Sequence, residues 1–193
     1  YNNHFSLDLF CMTIECVPAQ HDYDEALKLF KSRLRRFKLG QFLFGTGFFI
    51  PYYLFEVEIL NGGKLTTQFL AIDAIEGELD LYSFETPPTD FDEVETEQIG
   101  ATALSEKQAL ALLKEKVRRQ VYLQGFFQIR DMTITGKLVR LIYLPYWVGF
   151  FKQKSQAEVE VIDAVRGRFE GAKVRDLVYD WFAREADARR KKT

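Results

Sequence analysis

Apolar residues recur at helical spacing in three stretches and alternate with polar ones over most of the rest. Ala26, Leu27, Phe30, Leu34 and Phe37 fall on one face and predict a helix over about 23–37. Asp22 and Glu25 precede it as a capping box, and Gly40 sits where helices stop. Ala109, Leu110, Leu113 and Val117 predict a second helix, from the capping box Ser105–Gln108 to about 121. Val174, Leu177, Val178, Trp181 and Phe182 form the stripe of a last helix over about 173–190. The other periodic segments read as strands. One covers 4–17 and ends at Pro18. A Phe-rich one covers 42–60, with Pro51 marking an edge, a bulge or a strand start. Asn61-Gly62-Gly63 is a hairpin turn into a strand over 65–72, and 79–84 completes a meander. After the second helix, strands are expected over 126–134, 137–151 and 157–163, the first two divided by a Thr135-Gly136 turn.

This pattern is written twice. Ala26–Arg36 aligns with Ala109–Arg119 (109 − 26 = 83), Ile50-Pro51-Tyr52-Tyr53-Leu54 with Leu144-Pro145-Tyr146-Trp147-Val148 (145 − 51 = 94), and Ile72–Gly77 with Ile162–Gly167 (162 − 72 = 90). Three blocks in one order predict an α+β fold of two tandem helix-plus-antiparallel-sheet repeats with a C-terminal helix. The expected units are 1–84 and 105–193. The interval from helix to proline is 94 − 83 = 11 residues longer in the second unit, which is why an extra strand is placed at 126–134. Residues 85–104 hold six acidic residues up to Glu97, Pro87-Pro88 and no Lys or Arg. They read as an extended acidic linker, with attraction of a basic partner as the alternative.

Charge and composition then narrow the classes. Net charge is −2, from 26 basic and 28 acidic residues, so nothing favours nucleic acid, which needs a clustered basic surface. No apolar run reaches transmembrane length. The 18 Phe, 9 Tyr and 2 Trp can build a core from few residues, because each ring buries a large area. Cys11 and Cys16 lie an odd number of residues apart in a strand, which points them to opposite faces. They read as free thiols rather than a disulfide or a metal pair.

The candidate binding residues are Tyr52, Tyr53, Tyr146 and Trp147, since aromatics beside a proline can make a flat recognition surface. Repetition at one structural place gives the other reading, packing shared by both units. Asp73 and Asp163 are twinned carboxylates, but an Asp entering a turn that ends in Gly is expected to bond the turn's own backbone. The pairs Arg35-Arg36 and Arg118-Arg119 suit the negative ends of their helices, or could line an anion site. His4 and His21 assemble with no nucleophile and acid. No catalytic residue, metal or cofactor is expected.

With these elements in view, each unit resembles a PepSY-like or cystatin-like α+β module, in which a helix crosses an antiparallel meander. The closing Asp-Ala-x-Thr-Gly turn of that kind is similar to Asp73-Ala74-Ile75-Glu76-Gly77 and Asp163-Ala164-Val165-Arg166-Gly167, with Glu76 and Arg166 in place of Thr. The resemblance implies a non-enzymatic binding or scaffolding module, an accessory domain of a larger or membrane-associated protein. A carrier of a small apolar ligand held between helix and sheet, and an enzyme of unrecognised type, are the alternatives. The expected partner is another protein, with peripheral membrane contact through the C-terminal helix as a further expectation and a cytoplasmic or membrane-associated location.

Overall fold

The computed structural model describes residues 11–124, 131–153 and 156–190. Its elements are β1 (Met12–Cys16), α1 (Tyr23–Phe30), α2 (Arg33–Leu39), β2 (Gln41–Asn61), β3 (Lys64–Asp73), β4 (Tyr82–Phe84), β5 (Asp92–Thr96), α3 (Glu106–Gln124), β6 (Thr133–Gln153), β7 (Gln156–Asp163), β8 (Arg168–Phe169) and α4 (Ala172–Arg190). One sheet runs β4-β3-β2-β6-β1-β5, and β7 continues from the far edge of β6 to β8. The fold is α+β with a mostly antiparallel sheet.

The sheet is built on β2 and β6, two 21-residue strands paired antiparallel nearly end to end. Ile50 stands opposite Leu144, the one matched pair of the two Pro-Tyr segments that meets directly; Pro51 faces Tyr143 and Pro145 faces Phe49. Each long strand carries one unpaired residue, Leu43 in β2 and Val139 in β6. A bulge reverses which residues face which side, and this turns Phe42 and Ile134 toward the helices. The hairpin between β2 and β3 has Gly62 and Gly63 both at positive φ, as a two-residue loop of this type requires.

One face of the sheet, centred on Phe48, Ile50, Tyr52, Ile142, Leu144 and Tyr146, is covered by α4. The opposite face carries the other helices. The Ala26 and Phe30 side chains of α1 pack on Phe151 of β6 and Ile162 of β7, where Gly149 lets the Phe30 ring lie against the backbone. The α3 residues Ala109, Leu113 and Val117 pack on Phe55 and Val57 of β2 and Leu70 and Ile72 of β3. Helix α1 thus lies on strands that follow α3 and also on Phe42 of β2, and α3 lies on strands that follow α1 and also on Ile134 of β6.

Backbone bonds come in pairs at matched positions. Val17 N donates to Tyr143 O and Gly100 N to Phe49 O, both at 2.9 Å. His21 N donates to Ala164 O (2.9 Å) and Leu104 N to Ala74 O (3.0 Å). Ala74 N donates to Pro51 O (2.8 Å) and Ala164 N to Pro145 O (3.1 Å).

Several sequence expectations change here. The helix expected over 23–37 breaks at Lys31-Ser32. The break turns Arg35 inward, where its Nη1 pairs with Glu160 Oε2 at 2.9 Å, and Arg175 Nη1 meets the other oxygen at 3.1 Å. Glu160 is buried, and a buried carboxylate without such partners would be strongly destabilising. Leu34 and Phe37 consequently point outward, not into the core. Most of the strand expected over 126–134 lies outside the described residues. Thr133 opens β6, which runs straight through Thr135-Gly136 without a turn. The acidic segment is not a free tether: β5 pairs antiparallel with β1, and Ile99 bridges to Phe49. Of the strand expected over 4–17, residues 4–10 lie outside the described residues, and β1 covers Met12–Cys16.

Candidate functional site

The four aromatics expected to bind lie on two faces of β2 and β6. Tyr52 and Tyr146 are buried on the α4 face, and their hydroxyls are 3.1 Å apart. Burial is the largest influence on both phenols and drives their pKa values well above the ordinary tyrosine range. Tyr53 and Trp147 are half-buried on the other face. Tyr53 Oη donates to Leu104 O at 3.0 Å and Trp147 Nε1 to His21 O at 2.7 Å. Each clamps the loop that leads into a helix, α3 and α1 respectively. The Trp147 ring also meets Tyr23 edge-on at 5.5 Å. The structure thus joins Tyr52 to Tyr146 and engages all four inside the fold.

Asp73 and Asp163 stand opposite Tyr52 and Tyr146 in register. Asp73 Oδ1 accepts from the backbone N–H groups of Glu76 (2.9 Å) and Gly77 (2.8 Å), and Oδ2 from Leu79 (2.9 Å). Asp163 Oδ1 accepts from Val165 (2.8 Å) and Arg166 (2.9 Å), with the Tyr82 hydroxyl at 3.4 Å. Its Oδ2 is buried without a hydrogen bond, and Arg166 Nε stands 3.9 Å away. Both carboxylates serve their own turns, as turn chemistry predicts.

Beside Asp163 a pocket of about 260 Å³ opens between the start of α4, β8 and residues 79–82, lined among others by Tyr52, Tyr82, Tyr146, Arg166, Glu170 and Lys173. Its cations are already engaged. The Arg166 guanidinium lies 3.3 Å over the Tyr82 ring, and Lys173 Nζ donates to Glu78 O at 3.0 Å. Burial raises the Tyr82 hydroxyl, and burial followed by the Asp163 charge raises Glu170 above its ordinary value of 4.5. A second, more open groove of about 390 Å³ has Phe49, Pro145 and Trp147 among its lining residues, with Asp92 and Glu95 of β5 also on it. Among the described residues no group of three or more His, Cys, Asp and Glu could hold a metal.

The apolar stripe of α4 is used up by the sheet. Val174 and Val178 are buried, and Trp181 and Phe182 pack on Phe48 with ring centroids at 5.0 and 5.8 Å. No helix among the described residues is long and apolar enough to cross a membrane. Among the described residues the large apolar side chains left most open are Phe37 (94 % exposed) and Leu34 (84 %) on α2, with Leu123 near the end of α3 next at 80 %. Helical periodicity alone assigned Leu34 and Phe37 to the core. The signal against that was the interleaved charge, since Arg33, Arg35, Arg36 and Lys38 surround them and a core-facing turn does not carry four cations in six positions.

Compared with protein-family models, curated proteins and solved structures, the chain finds no match in any of the three.

Proposed function

We propose that this protein is a non-enzymatic interaction module, two copies of one helix-plus-strands unit that exchange helices across a common sheet, with α2 as its contact surface. The observation that carries the reading is the exposure of Leu34 and Phe37 on a helix whose other side is pinned to the sheet by Arg35 and Leu39. Two large apolar side chains held open by a fixed backbone mark an interaction site more readily than scattered surface residues do. The paired backbone bonds support the two-copy part, and the resemblance to mostly non-catalytic PepSY-like and cystatin-like modules points the same way.

Two other readings have less support. A carrier of apolar ligands needs an enclosed cavity, whereas the aromatic side chains between helices and sheet pack on one another. An enzyme needs groups tuned toward neutral pH. The pocket tyrosines are shifted the other way, to weaker acidity, and Glu170, the one lining group moved toward neutrality, has no Ser, Thr, Cys or His beside it among the lining residues.

The test is the double variant Leu34→Ser, Phe37→Ser. Because both side chains are exposed, stability should change by no more than about 0.5 kcal/mol. Retention of cellular components, protein or lipid, on the immobilised chain should be lost. A variant that retains the same components as the parent, or that unfolds as a core variant would, removes the contact surface.

A further inference from the structure

We infer that α2 seats on an anionic lipid surface; this rests on the reading of α2 as the contact element. Residues 26–55 contain Lys28, Lys31, Arg33, Arg35, Arg36 and Lys38 and no Asp or Glu. Leu34 and Phe37 are three apart on a helix and so share a face. Arg35 is held inward, its guanidinium paired with Glu160 and 3.7 Å over the Phe169 ring. That anchor fixes the rotation of the helix and keeps Leu34 and Phe37 outward, while Lys31, Arg33 and Lys38 are exposed around them. The chain then leaves through Gly40 into the start of β2, where Leu43 and Phe44 are also exposed.

The shape and the charge favour a bilayer over a folded partner. The apolar contact is the outer side of a two-turn helix, not a groove. A stable protein interface needs about 800 Å² from each partner, more than two side chains supply. A membrane interface accepts such a contact directly, with the rings and aliphatic groups among the acyl chains and the cations at the phosphates. The opposite charge is kept in another part of the chain: residues 65–106 contain no Lys or Arg and eleven acidic residues.

The experiment uses the full chain with vesicles of phosphatidylcholine alone and of phosphatidylcholine with phosphatidylserine, separated by flotation at low and high salt. Binding is expected only to the anionic vesicles, and weaker at high salt. Phe37→Ser, and separately Arg33→Glu with Lys38→Glu, should each weaken it at least about tenfold. Tyr179→Ser, an exposed aromatic on α4, should leave it unchanged and excludes the C-terminal helix as the contact. Equal binding to neutral vesicles, or loss in Tyr179→Ser but not in Phe37→Ser, overturns the inference. If vesicles are not bound but light scattering shows self-association at low salt that Phe37→Ser abolishes, the occupant is a second copy: the lipid inference falls and the contact reading stands. If α2 variants change neither vesicle binding, self-association nor retention of cellular components, both fall.

Discussion

Asp73 and Asp163 occupy matching turns but are unequally provided for. Both oxygens of Asp73 accept backbone N–H groups, whereas Oδ2 of Asp163 accepts none. An asparagine at 73 must turn its amide donors toward another donor, leaving a buried N–H without its acceptor. Asp73→Asn should therefore cost about 2 kcal/mol, and Asp163→Asn about 1 kcal/mol or less, because there the new amide can take the place of the unbonded oxygen. Equal costs in urea unfolding would show that the difference in donors is energetically silent. The twinning of the two aspartates was legible in Ile-Asp-Ala-x-x-Gly. Their inequality was not, since it depends on where Leu79 N falls after the turn. Glu170 gives a pH test of the same neighbourhood. Its pKa is raised by burial first and by Asp163 second. A raised folded-state pKa means that this group favours the fold below 4.5 and loses that contribution as pH rises through its folded value. Glu170→Gln should thus raise the unfolding midpoint at pH 7 relative to the parent, with the gain vanishing in acid below the ordinary glutamate range. A gain independent of pH, or a loss at pH 7, would contradict the assignment.

Elements were read well where local chemistry decides them. The Asp22 cap, the Ser105–Gln108 box and the Asn61-Gly62-Gly63 hairpin need only their own residues, and the structure has all three. The elements misread were those settled from a distance. Periodicity carried the first helix through to Phe37, but buried Glu160, 125 residues along from Arg35, draws in that arginine and rotates the second segment. Thr135-Gly136 looked like a turn, yet Glu58 and Val57 of β2 stand opposite and hold it in a continuous strand. The last helix is the counter-example, because five apolar residues at helical spacing leave one way to bury them. Trp181 meets Phe48 and Phe182 edge-on. Since it is half-buried, Trp181→Ala should cost about 3 kcal/mol, the lower end for aromatic truncation. An unfolding midpoint equal to that of the parent would mean that α4 is not docked in solution.

At the scale of the whole molecule, which strands each helix covers matters more than the matched sequence blocks. The sequence divides naturally near residues 85–104, and a boundary there predicts two units able to stand alone. The packing argues otherwise. The buried residues of α1 lie on β6 and β7 as well as on Phe42 of β2, those of α3 on β2 and β3 as well as on Ile134 of β6, and β2 and β6 pair along almost their full length. Cut within 85–104, each piece would expose the long edge of its central strand and lose the helix that covers its meander. Pieces of 84 and 109 residues have little core to spare, since small domains bury a smaller share of their surface even when intact. None of this could be read from the repeat, because matched sequence blocks say which segments are alike and not which of them touch. The fragments 1–84 and 85–193 should each lack a cooperative thermal transition when alone and recover one when mixed in equal amounts. The intact chain should unfold in a single step. Circular dichroism melting of the two fragments, separately and together, decides the matter. Two fragments that melt cooperatively on their own would mean that each helix can fold back onto the strands of its own unit, and the exchanged packing would then be one arrangement of two separable domains.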